Sequence, residues 1–185
     1  MADHRSTGTC RSPGIFKPRK TLRILFALEE EMISLEWLKR TELFNGLMDS
    51  QLEALLSRSI LKSYSEGTTL FLQGEEANSL FILIKGLIEL TIKTKEQTQF
   101  VASKIEKEGA VFGTASLMEP FQYNVSATCL KPSEVLMINA KWLRERMMED
   151  PMMGLEIMKK LAALYFSRLN TLRVGISNFI KEFKG

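Results

Sequence analysis

Between residues 60 and 138 the sequence breaks into short runs of β-branched, aromatic and aliphatic residues, punctuated by Gly67, Gly74, Gly86, Gly109 and Gly113. The runs fall at 68–72, 80–84, 87–93, 98–104, 123–129 and 135–138. A parallel sheet needs crossover connections of about a dozen residues or more, usually helical, and these gaps leave no room for them. The pattern therefore predicts an antiparallel barrel or jelly roll.

Helical patterning flanks this region on both sides. Leu25, Leu28, Met32 and Leu35 recur at steps of three and four, which predicts a helix from Thr21 to about Arg40. A short helix is expected from Asp49 to about Arg58, capped by Asp49 or Ser50, with Leu52, Leu55 and Leu56 on one face. After Asn139, a residue suited to an N-cap, the helical period returns and continues to the end. There Leu155, Met158, Ala162, Tyr165, Leu169, Leu172, Ile176, Phe179 and Phe183 alternate steps of three and four. A helix of about 30 residues is roughly 45 Å long and overshoots a small barrel, so its first turns are expected on that barrel through Ile157, Leu161 and Leu164. Tyr165, Leu169, Leu172, Ile176 and Phe179 are expected in the seam of a homodimer. The domain plan is a basic leader at 1–20, a helical lead-in at 21–58, the β region at 59–140 and C-terminal helices with the seam at 141–185.

Composition removes several function classes. The only histidine, His4, lies in the polar leader, and Cys10 and Cys129 are the only cysteines. Neither a disulfide scaffold nor a metal cluster of ordinary spacing is expected, and a hydrolytic triad would have to use a residue four positions from the terminus. The chain reads as a non-enzyme. The apolar runs at 24–28 and 80–84 are five residues each and none exceeds six, against roughly 18 to 20 for a bilayer span. No membrane span is expected, and a cytoplasmic location is the default. The first 23 residues hold six basic residues against Asp3, a charge of +5, and leave 19 bases against 21 acids, or −2, for the other 162. The leader reads as disordered, and the slightly acidic body lacks the electrostatic footprint of a duplex-DNA-binding face.

The order of elements and the ordered set of glycine-bearing motifs resemble the cyclic nucleotide-binding domain family, over residues 38 to about 169. Leu43-Phe44-Asn45-Gly46-Leu47 is similar to its entry motif, and Tyr64-Ser65-Glu66-Gly67-Thr68 with Phe71-Leu72-Gln73-Gly74 is similar to its first hairpin. Phe81-Ile82-Leu83-Ile84-Lys85-Gly86 resembles the next strand and turn, and Gly109-Ala110-Val111-Phe112-Gly113 leads into the phosphate-binding cassette. The resemblance implies an α+β, mainly β fold: an antiparallel β-roll or jelly roll, a cupin-like double-stranded β-helix, between N-terminal helices and a long C-terminal helix. It also implies a candidate pocket at Phe112, Gly113, Thr114, Ala115, Ser116, Leu117, Tyr123, Asn124, Val125 and Ser126.

The cassette departs from the family where the ligand would be held. In binding members a Glu accepts a ribose hydroxyl and an Arg pairs with the cyclic phosphate. Here Thr114 stands in the Glu position and Tyr123 in the Arg position, and no Arg occurs between Arg58 and Arg144. Losing two charge-assisted contacts of about 1.5 to 3 kcal/mol each weakens binding by two to four orders of magnitude. Lys85 and Lys104 are candidate substitute cations.

Three readings stay open. The leading one is a dimeric regulatory module acting through a separate protein effector, with an empty pocket or one tuned to a less charged ligand than cAMP or cGMP. The second is a true cyclic nucleotide sensor with an atypical cassette. The third is a truncated or partner-dependent transcription regulator of the catabolite-activator type. Direct DNA binding is not expected, because no winged helix-turn-helix follows the long helix.

Overall fold

A computed structural model describes residues 33–182 except residue 97, with side chains described to residue 177. The leader at 1–20, most of the helix expected from Thr21 and the side chains of Phe179 and Phe183 lie outside the described residues. The chain enters through α1 (Leu35–Lys39) and α2 (Asp49–Ser57), runs through eight strands, and leaves through α3 (Ala140–Glu149) and α4 (Pro151–Glu182). The strands are β1 (Ser59–Tyr64), β2 (Thr69–Phe71), β3 (Ser79–Lys85), β4 (Ile88–Lys93), β5 (Gln99–Ile105), β6 (Val111–Phe112), β7 (Ser126–Cys129) and β8 (Ser133–Asn139).

Every pairing is antiparallel, in two four-stranded sheets of order β1-β8-β3-β6 and β2-β7-β4-β5. This is the β-roll that the close spacing of the runs required. Consecutive side chains on a strand point to opposite faces. In β3 the alternation sends Phe81 and Leu83 into the barrel, where they meet Phe71, Ile88, Leu90, Phe112 and Ala127. Leu80, Ile82 and Ile84, on the other face, are buried as well, because α3 packs over β3 and β8. The opposite extreme is β5, an edge strand paired only with β4 and exposed at every position but Ile105.

The helices take their local form from identifiable caps. Asn139 Oδ1 accepts from Trp142 N at 2.9 Å and starts α3 as expected. At α2 the cap differs from expectation. Met48 occupies the N-cap, Asp49 is already helical, and the Gln51 side chain accepts from Met48 N at 2.9 Å. A glutamine reaching back from the first turn thus replaces the anticipated Asp or Ser hydrogen bond. Gln51 also donates to Asp150 at 2.7 Å, and Asp150 accepts from Met153 N at 3.1 Å, which ties the lead-in to the start of α4.

Helix α4 buries a different stripe from the one with the clearest heptad spacing. Met153, Ile157 and Leu161 are fully buried, whereas Leu155 and Met158 are exposed. Beyond Leu161 the buried stripe gives way to the half-buried Leu164, Tyr165 and Arg168.

Candidate functional site

The cassette begins at Gly113, whose φ of +70° places it in the left-handed region. A Cβ there would lie 3.0 Å from Phe81 Cδ2, 3.1 Å from Ser79 O and 3.4 Å from Tyr123 Cε1. Only glycine meets both the backbone and the space requirement. The turn launches a 3-10 helix at Thr114–Leu117, and the chain then passes Phe121 to reach β7. Arg144 of α3 fastens this segment: its Nη1 donates to Ser116 O at 2.5 Å and its guanidinium lies 4.2 Å above the Phe121 ring.

A cavity of about 310 Å³ lies between the cassette and α4. Of the candidate residues, Phe112, Gly113, Thr114, Tyr123, Asn124 and Val125 line it. Ala115, Ser116, Leu117 and Ser126 do not. Ser116 and Leu117 are buried in the packing behind it, Ala115 is half-buried, and Ser126 accepts from Gln73 N at 3.0 Å. The other walls come from Phe71, Leu90, β5 and α4. A second cavity of about 470 Å³ adjoins it between β5 and α4, and the two share Ala102, Ser103, Arg168 and Leu172.

Tyr123 is more a floor than a contact point. It is buried, its ring stacks on Phe71 with centroids 3.8 Å apart, and its hydroxyl donates to Ser79 O at 2.8 Å and accepts from Ser79 N at 3.1 Å. Burial pushes its phenol above the usual value, with the Ser79 hydrogen bond pulling the other way. Thr114 is also buried, and its Oγ1 shares a hydrogen bond of 2.9 Å with the Tyr165 hydroxyl. The two residues expected in the Glu and Arg positions are therefore occupied with partners from their own chain. Lys85 pairs with Glu134 at 2.8 Å and lines neither cavity; Lys104 faces the adjoining cavity and stands 3.9 Å from Glu89.

The lining of the cassette cavity does include an arginine, on the long helix and not on a barrel strand. This is Arg168 of α4, which donates from Nη2 to Val111 O at 2.9 Å. Its spacing of three from Tyr165 was a legible signal, because both residues then share one helix face. Of the expected seam residues, Tyr165, Leu169 and Leu172 line the cavity of their own chain, and Ile176 is exposed beyond it.

The architecture is thus an antiparallel β-roll with a short helix set into it and a long helix laid across the cavity beside it. Residues 61–150 match the model of the cyclic nucleotide-binding domain. The chain is 32% identical to a protein of Geobacter metallireducens named for cyclic nucleotide binding, with a TM-score of 0.66 over 74% of this chain and 98% of that one. The sensor domain of the transcriptional regulator DNR from Pseudomonas aeruginosa matches at 26% identity and a TM-score of 0.61, over 73% of this chain and 90% of that one. The cAMP-activated global transcriptional regulator CRP of Pasteurella multocida is 29% identical over 132 residues, 71% of this chain and 61% of that protein. The chain belongs to the cyclic nucleotide-binding domain family. It spans about three-fifths of the length of the CRP relatives.

These relatives are regulators and binding proteins. Two are transcriptional regulators, so the expectation that this protein does not bind DNA finds no support among them. Among the described residues no helix is long and apolar enough to cross a membrane.

Proposed function

We propose that this chain is the non-enzymatic sensing module of a regulator, working as a homodimer through α4, with a cavity that does not hold cAMP or cGMP by the family's usual contacts. The observation that carries this reading is how Tyr123, the residue expected in the position of the phosphate-binding Arg, is held. Its ring is committed to Phe71 and its hydroxyl to Ser79, leaving no group on it for a phosphate. Thr114, expected in the Glu position, is bonded to Tyr165 and presents a neutral hydroxyl in place of a carboxylate. Thr114, Tyr123 and Asn124 bring no formal charge to the cassette side of the cavity.

The dimer rests on the last described turns of α4, where Phe166, Leu169, Leu172, Val174 and Ile176 all stand exposed. Five large apolar side chains along a few turns are what one helix presents to another. The output passes to a separate protein effector or, as the relatives' names favour, to transcription.

Two measurements test the proposal. Titration calorimetry with cAMP and cGMP is expected to show no micromolar binding; a micromolar signal would favour the second reading, a cyclic nucleotide sensor with an atypical cassette. The open cavity against Gly113 and Thr114 is the observation on that side. Sedimentation is expected to show a dimer of the 21.1 kDa chain, and the Leu169→Glu, Leu172→Glu double variant a folded monomer. A wild-type monomer at micromolar concentrations would remove the dimer.

A further inference from the structure

The polar groups of the cavity differ in how far they are already used. The Thr114 and Tyr165 hydroxyls bond each other, and the Tyr123 hydroxyl is taken up by Ser79. Arg168 stands apart. One hydrogen bond, from Nη2 to Val111 O, is found for it, and a guanidinium carries five N–H donors in a planar fork. Among the described residues no carboxylate stands within 4.0 Å of Arg168, the ion pairs all being formed elsewhere.

The acids on the walls of the adjoining cavity, which Arg168 also lines, are Glu42 and Glu106. Glu42 is engaged, accepting from Val111 N at 3.2 Å with Lys107 at 4.0 Å. The cavity against the cassette is lined by no acid at all. Among the described residues its lining therefore includes one cationic side chain, Arg168, and no acid, together with the stacked rings of Phe71, Phe112 and Tyr123. Its volume of about 310 Å³ is at the small end of ligand cavities, which run from roughly 300 to 1,000 Å³.

Resting on the reading that the cassette no longer takes cyclic nucleotide in the usual way, we propose that this cavity binds a small aromatic monoanion, a carboxylate on a flat apolar body, with Arg168 of α4 as the anion anchor. The flat body lies along the Phe71, Phe112 and Tyr123 surface, and the carboxylate takes two parallel N–H bonds from the guanidinium fork. Val111 O keeps its hydrogen bond, because the fork has donors to spare. The anchor has moved from a barrel strand to the helix. Occupancy of the cavity then bears directly on the helix that carries the exposed apolar stripe, in the turns between Tyr165 and Leu172.

The test compares 2-naphthoate with 2-naphthamide, two ligands of nearly equal shape that differ in charge, by titration calorimetry on the full chain. The carboxylate is expected to bind tighter by about tenfold or more, the range of a charge-assisted pair in a partly dry site. Arg168→Gln is expected to bring the ratio of the two affinities close to one, with thermal unfolding showing that the variant is folded. Arg168→Lys should keep part of the preference, since it retains the charge and loses the fork. Equal affinities of the two ligands for the wild type, no binding of 2-naphthoate up to millimolar concentration, or a preference that survives Arg168→Gln would each overturn the proposal. The wild-type comparison needs no variant to fold. A parallel titration with cAMP separates this inference from the reading beneath it: tight cAMP binding overturns that reading, whereas the anchor role is decided by the carboxylate-to-carboxamide ratio alone.

Discussion

The two halves of α4 carry similar apolar repeats and meet different fates. In the first half Ile157 and Leu161 are 0% and 1% exposed against the molecule's own core. In the second, Leu172 and Ile176 are each 59% exposed, and the helix is held to the barrel by two polar contacts, Tyr165 to Thr114 and Arg168 to Val111. A helical period establishes that a face is apolar; it does not say what covers it. The first half is packed into the core, and the second lies over a cavity with apolar side chains exposed on it.

The largest effect that tests this contrast comes from truncating each half. Leu161→Ala is expected to lower unfolding stability by about 2 to 5 kcal/mol, the cost of a cavity in a closed core. Leu172→Ala in the isolated chain should change it by no more than about 0.5 kcal/mol. Urea unfolding of both, followed by circular dichroism, checks the pair, and similar losses would erase the distinction.

The barrel wall opposite the second half is expected to be nearly as intolerant as the first half of α4. Tyr123→Phe keeps the ring on Phe71 but leaves Ser79 N and O without the hydroxyl, at a cost of about 1 to 3 kcal/mol in the same assay. An unchanged midpoint would mean that the hydroxyl is not structural and that Tyr123 is free to serve a ligand.

A smaller and local effect is expected in the second half of α4. Tyr165→Phe removes one partly buried hydroxyl pair, worth about 0.5 to 1.5 kcal/mol. The loss should appear as faster amide exchange after Leu164, with the turns around Ile157 unchanged. Uniform acceleration along the whole helix would show that its halves behave as one unit.

The smallest effect concerns pH at the junction where α4 begins. The Gln51 hydrogen bond, followed by the one from Met153 N, holds the Asp150 carboxyl below its ordinary value of 3.8. A depressed folded-state value means that the carboxylate contributes stability above about pH 4, and that this contribution fades as the pH falls through the lower value. Between about pH 5 and pH 2.5 the wild type should therefore lose more stability than Asp150→Asn, measured by thermal unfolding. Equal losses would show that the carboxylate's bonds to Gln51 and Met153 N do not matter.

How much of this was readable in advance follows from the range over which each signal acts. The β-roll was legible because strand length, alternation and glycine turns are local quantities. The runs at 80–84 and 135–138 sit inside β3 and β8, and Gly113 forms the turn that its motif implied. The cavity was legible as a place, with Thr114 and Tyr123 among the residues that line it. It was not legible as a set of contacts. Nothing near Tyr123 in the chain announces that its hydroxyl ends on Ser79, 44 residues away, or that Thr114 meets Tyr165 across 51.

What the sequence determined by itself was the antiparallel sheet, its flanking helices and the absence of any Arg on the strands that form the cassette. Tertiary structure alone decided that an arginine joins the cavity wall all the same, Arg168 coming back to Val111 over 57 residues. It also decided which stripe of α4 is core. The physical reason is common to both: helix and strand periods are set by neighbours a few residues apart, whereas the partner of a side chain depends on how the finished elements cross.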